Sequence, residues 1–182
     1  MKTNSSGWNG KQFRTKLRFI KRLILILLPT SLFGCAATSP AAIDLANYVN
    51  QGVLRISELE QKSLERYASV TGANYKSDSE VYGALKDWII PLYTRFVDGL
   101  RKIRPETDEV KNLHWIYIHG STSLLDGFKM LLIAIETKEP GMIPSVNEKL
   151  EKGREENERW NALAILATAD GLRYFLSLRP FS

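Results

Sequence analysis

Apolar side chains recur at intervals of three and four residues along most of this chain, the spacing that brings them onto one face of a helix. Four helical segments are predicted on that basis. The first spans about residues 40–70, with Ile43, Ala46, Val49, Val53, Ile56, Leu64 and Tyr67 near one face, and residues 71–76 interrupt it. The second opens at Ser77-Asp-Ser-Glu80, a capping-box pattern in which Ser77 and Glu80 satisfy each other's backbone donors. Its stripe is Val81, Leu85, Trp88, Leu92, Phe96 and Ile103. Pro91 falls inside it, and a proline there removes a helical hydrogen bond and is expected to kink or split the helix.

The third segment, after Arg104-Pro105, has the most regular period. Val110, His114, Tyr117, Ser121, Leu124, Phe128, Leu131 and Ile135 alternate steps of four and three, a heptad seam of the kind antiparallel bundles use. Glu139-Pro140-Gly141 marks the turn that follows. The fourth segment carries Ile143, Val146, Leu150, Gly153, Asn157, Trp160, Ala164 and Ala167, and the small residues late in that seam permit close helix approach. Each stripe needs a partner and the connections are short, so the expected fold is all-α: an antiparallel four-helix bundle with a proline-kinked second helix. The tail, 171–182, leaves two conformations open. Leu172, Tyr174, Leu176 and Leu178 alternate as in a strand, apart from Phe175, yet a continuation of the fourth helix fits equally well.

Charge changes the picture at the amino terminus. The whole 182-residue chain has a formal net charge of +5, but seven of its 25 basic residues (Lys2, Lys11, Arg14, Lys16, Arg18, Lys21 and Arg22) precede residue 36, with no acidic residue among them. Removing those seven from 25 leaves 18 basic against 20 acidic residues, a net −2. Nucleic acid is therefore not an expected partner, since the basicity belongs to the leader.

That leader joins a basic stretch, 11–22, to an apolar run, 23–34. As a helix the run would rise about 18 Å, short of a hydrocarbon core of about 30 Å, and extending it backwards meets Arg22, Lys21 and Arg18. A cleaved signal is expected rather than a permanent span. Its end, Leu32-Phe33-Gly34-Cys35, resembles the lipobox of bacterial lipoproteins, with Phe33 standing where that family has a small residue. The resemblance covers the leader alone. It implies transfer of a diacylglyceryl group to the Cys35 sulfur, cleavage between Gly34 and Cys35, and acylation of the new amino terminus with a chain such as palmitate. Ala36 stands where inner-membrane retention in Gram-negative bacteria has Asp, so the family rule favours the periplasmic face of the outer membrane.

The expected organisation is a signal peptide at 1–34, a lipidated cysteine and short linker at 35–39, and a bundle domain at 40–182. Ser39 serves as N-cap and Pro40 as the first helical residue. Cys35 is the only cysteine, so no intramolecular disulfide can form.

Candidate chemistry is sparse. His114, Tyr117 and Ser121 are the polar members of the third seam, and with Trp88, which the kink could expose in a cleft, His114 and Tyr117 form a candidate pocket for a hydrophobic molecule or haem. The alternative is a core histidine with satisfied hydrogen bonds. His119 lies five residues from His114, about 140° around the helix, so the two rings do not converge on one ion. Neither a metal nor a cofactor is expected, and no catalytic set is identifiable. The alternating Glu and Lys/Arg of 148–159 suit a solvated helix face. Trp115, flanking the seam, suits either the core or a partner surface. The sequence thus points to a membrane-anchored envelope lipoprotein acting as a non-enzymatic interaction or assembly module, held by lipid on Cys35 and meeting an envelope protein partner. A ligand-binding bundle is the alternative, and an envelope enzyme with a dispersed site is a third.

Overall fold

The computed structural model describes residues 39–169, and every long segment within them is helical. The leader with Gly34 and Cys35, and the tail 171–182, lie outside the described residues. The first rod comprises α1 (Pro40–Asn47), a π-helical turn (Tyr48–Val53) and α2 (Leu54–Val70). The second comprises α3 (Asp78–Ala84), a π-helical turn (Leu85–Ile89) and α4 (Ile90–Leu100). The third and fourth are α5 (Asp108–Thr137) and α6 (Ile143–Ala169).

Local chemistry sets the ends. Ser39 Oγ accepts from the Ala42 amide at 3.3 Å, with Pro40 following it. Ser77 Oγ accepts from the Glu80 amide at 3.2 Å, while the Glu80 carboxylate lies 4.0 Å from Lys76 Nζ. Helix α5 is started by a residue from another rod. The Asp44 Oδ2 atom accepts from the amides of Glu106 (3.0 Å) and Thr107 (2.8 Å) and from the Thr107 hydroxyl (2.8 Å). Donors that a helix start leaves unpaired are thereby satisfied across a sequence separation of more than sixty residues. The far end of α5 closes with Lys138 in the left-handed conformation (φ 56°) and the Glu139 amide donating to the Ala134 carbonyl, a Schellman-type closure without its usual glycine.

The two π turns move the inward face. A π turn uses i→i+5 bonds, as in Leu54 N–H to Val49 O and Ile90 N–H to Leu85 O. Its wider winding makes steps of four residues, rather than three and four, point the same way. In the second rod the buried series is therefore Val81, Leu85, Ile89, Tyr93, Val97, and Trp88, expected in the stripe, is 60% exposed. In the first rod Tyr48 and Val49 face inward, whereas Ile43 and Ala46, placed on the inner face by a constant helical period, are exposed. Pro91 follows directly on the second π turn, so the amide it lacks falls where the bonding pattern has already been reset.

The seams expected for α5 and α6 mostly coincide with the observed core. Val110, His114, Tyr117, Ser121, Leu124 and Phe128 are buried, as are Val146, Leu150, Gly153, Trp160, Ala164 and Ala167. Leu131, Ile135 and Asn157 are half-buried, whereas Ile143, at the first turn of α6, is exposed. These two helices share the most extensive face. Glycines set their separation: a Cβ on Gly153 would meet the Gly120 carbonyl oxygen and the Leu124 backbone at 2.7 Å, and one on Gly127 would meet Leu150 at 2.6 Å. Between the first two rods, Ile103 packs on Gly52 and Ile56 on Gly99.

Candidate functional site

All four rods meet at one carboxyl group. Glu60 occupies an inward position of α2, in the series Val53, Ile56, Glu60, Ser63, Tyr67, Val70, and is only 5% exposed. The Tyr117 hydroxyl, from α5, donates to Glu60 Oε2 at 2.6 Å. The Tyr93 hydroxyl from α4 and the Asn157 amide from α6 each approach Glu60 Oε1 at 3.5 Å, the long limit of a hydrogen bond. Burial raises the Glu60 pKa to about 7, and the Tyr117 and Tyr93 hydrogen bonds hold that rise in check. Burial also drives the Tyr93 and Tyr117 hydroxyls well above their ordinary range, with Glu60 adding to both, so they remain neutral donors.

Aromatic rings surround this centre. Tyr117 stacks on Trp160 (4.0 Å between centroids, 14°), Phe96 meets Tyr117 at 5.7 Å, and Tyr93 meets Phe128 edge-on at 5.3 Å. A second polar contact lies nearer the start of α5. His114 Nδ1 is 3.3 Å from the Tyr48 hydroxyl, and the two rings pack edge to face at 5.4 Å. Burial lowers the His114 pKa to about 4, with the Arg104 charge adding to the effect, so the imidazole is neutral at pH 7.

Ser121 and Asn157 interact weakly with the Tyr93 hydroxyl and Trp160 with the Tyr48 hydroxyl, each opposing the rise that burial gives those phenols. None of these contacts reaches full hydrogen-bond geometry, and Ser121 Oγ, Asn157 Oδ1 and Trp160 Nε1 are otherwise unpaired. A half-turn of the Asn157 amide would place its oxygen opposite a protonated Glu60 and pair both groups. A carboxyl that exchanges its proton near pH 7 suits general acid or base work. Its burial means that a substrate could reach it only if the helices part.

Compared with known protein families, curated proteins and solved structures, the chain matches none. What the site can do is therefore argued from its own residues.

The structure brings two of the three sequence-derived pocket residues into the core. His114 and Tyr117 are buried within one turn of each other on α5, whereas Trp88 faces outward. Glu60 was not among the sequence candidates. Its signal was positional: it sits in an uninterrupted 3-4-3-4-3 register with Val53, Ile56, Ser63, Tyr67 and Val70, but an acidic side chain there reads as surface when only apolar residues are counted.

Two tryptophans on the outside complete the inventory. Trp88 and Trp115 are 60% and 59% exposed, while Trp160 is buried. Trp115 lies against His119 one turn along, with ring centroids 3.9 Å apart. On α6 the Arg154 guanidinium bridges Glu151 and Glu158, the i,i+3 and i,i+4 pattern of a solvated face. Among the described residues no cluster of three His, Cys, Asp or Glu side chains could hold a metal ion, and no helix is long and apolar enough to cross a membrane.

Proposed function

We propose that this protein is an envelope lipoprotein, held by acyl chains on Cys35 after cleavage at Gly34, whose helical domain is a non-enzymatic interaction module presenting Trp88 to a protein partner. The single observation that carries the module reading is Trp88 itself. A tryptophan left 60% exposed on a rod whose later aromatics, Tyr93 and Phe96, are fully buried and whose Tyr82 is half-buried suits an anchor residue for an interface.

The fold under this reading is an antiparallel four-helix bundle, bent at the π turn ahead of Pro91. Its support is the order of contacts. Gly120 meets Asn157 while Gly127 meets Leu150, and Gly52 meets Ile103 while Ile56 meets Gly99, so rising numbers on one rod pair with falling numbers on the next. Loops of a few residues join the rods, as such neighbours require.

A photocrosslinking residue introduced at position 88 in living cells is expected to trap one defined envelope protein, and the same residue at exposed Lys62 is expected to trap it far less. Equal yields at the two positions would remove Trp88 as the contact. The anchor is read separately: wild type carries an acyl mass on Cys35, and Cys35→Ser abolishes it together with membrane retention. Hydrolysis of cell-wall or lipid substrates by the purified protein would overturn the non-enzymatic reading.

A second reading, a bundle that binds a small molecule or haem, draws support from the weakly held Ser121, Asn157 and Trp160 atoms in the interior, whose hydrogen bonding a polar guest would complete. A Soret band or a co-purifying molecule, lost in His114→Ala, is its signature.

A further inference from the structure

We infer that the end of the bundle bearing Ile43 and Trp115 docks on the lipid headgroup layer, so that Trp115 is a membrane-contact residue while Trp88 faces away from the bilayer. The inference rests on the lipid anchor proposed above and adds an orientation to it.

The chain enters the described domain at Ser39, and the contacts fix which end of the bundle that is. Asp44 seats the first turn of α5 through Glu106 and Thr107, and Tyr48 meets His114 one level further in. The entry point of the chain and the α5 amino terminus therefore share one end. Four residue steps lead from Cys35 to Ser39, a reach of about 14 Å at most. An acylated Cys35 would thus hold this end, and no other, against the membrane.

The side chains at that end suit such a surface. Ile43, beside the Asp44 cap, is 52% exposed, and Trp115 lies about 12 Å along α5 from Thr107. Indole is the side chain that settles at the boundary between headgroups and acyl chains, because its ring is apolar and its N–H still finds water or phosphate. The link from α4 to α5 carries exposed Arg101, Lys102 and Arg104 beside exposed Asp98, Glu106 and Asp108, so this end is balanced in charge and its apolar side chains carry the contact. With Trp115 about 12 Å from the end, its contact requires the bundle to tilt on its anchor.

Trp88 provides a reference within the same molecule. The Tyr82 hydroxyl reaches Glu136 and Tyr93 reaches Phe128, so Trp88, between them in sequence, lies level with the last turns of α5. That is roughly 20 Å further along the axis than Trp115. The two indoles have equal exposure and different heights.

The test uses the mature acylated protein, reconstituted into vesicles of phosphatidylethanolamine and phosphatidylglycerol whose chains carry bromine as a quencher. Trp88→Phe leaves Trp115 as the exposed emitter, Trp115→Phe leaves Trp88, and buried Trp160 contributes the same background to both. Expected is a loss of emission in Trp88→Phe and almost none in Trp115→Phe. Equal loss in the two variants, or a larger loss in Trp115→Phe, would overturn the orientation while leaving the anchor intact. Protein that carries no acyl mass and does not float with the vesicles would overturn the anchor, and the docking with it.

Discussion

Glu60 makes a pH-dependent contribution to stability that a single substitution isolates. Burial raises its folded-state pKa from 4.5 to about 7. The folded protein then binds this proton more tightly than the unfolded chain does. Its contribution is fully present below pH 4.5, is lost as pH rises through about 7, and is constant above that. A shift of this size corresponds to about 3 kcal/mol. His114 opposes it. Its pKa falls from 6.5 to about 4, so its contribution is fully present above pH 6.5 and is lost as pH falls toward 4, with a magnitude of the same order.

Between pH 4.5 and 6.5 the two slopes run against each other, and the wild-type profile should be shallow there. Glu60→Gln keeps the shape and an acceptor for Tyr117 but cannot titrate. Urea unfolding of residues 36–182, with and without Glu60→Gln, gives two stability curves from pH 4 to 8. The difference between them should change by about 3 kcal/mol across pH 4.5 to 7, with wild type gaining relative to the variant toward low pH. The variant alone should gain stability as pH rises to 6.5. Parallel curves would refute a buried neutral acid at the crossing of the four rods.

Four further outcomes follow from the packing and the helix ends. Gly153→Ala should destabilise by about 1–3 kcal/mol through overpacking against Gly120 and Leu124, while Gly83→Ala, whose new methyl meets nothing within 4 Å, should stabilise by about 0.5–1 kcal/mol; thermal unfolding reads both. Asp44→Ala should cost about 2 kcal/mol by stripping the cap from α5, and hydrogen exchange should quicken in the Glu106 and Thr107 amides before the rest of the helix. Lys138→Gly should raise stability by about 1 kcal/mol, since glycine adopts the left-handed closure of α5 without penalty.

The central parts of the α5 and α6 seams were legible in the sequence because both helices keep one winding along their length, so a constant period projects the same residues inward there; Ile143, at the end where the helices join, is exposed. His114, Tyr117 and Ser121 could be placed in the interior for that reason. The first two rods were less legible, because Tyr48–Val53 and Leu85–Ile89 wind more widely than the period assumes. Ile43 and Trp88 consequently lie outside, and Ile89 takes the inner place. Pro91 signalled a disturbance but not its form, since a missing amide is compatible with a break, a bend or a π turn.

The basic-then-apolar pattern of 11–35, the skewed charge, the helical character of most of 40–169 and the caps at Ser39 and Ser77 depend on residues near one another in sequence, and the sequence by itself determined them. Tertiary structure decided everything that joins distant residues. Asp44 became the cap of a helix sixty residues away, because the amides of Glu106 and Thr107 needed an acceptor and their own segment supplied none. Glu60 became the centre of the core rather than a surface charge. Its position on α2 faces inward, and hydroxyl and amide donors from three other helices meet it there. Burial of a carboxyl is a property of its neighbours, and those neighbours are assembled only when the rods pack.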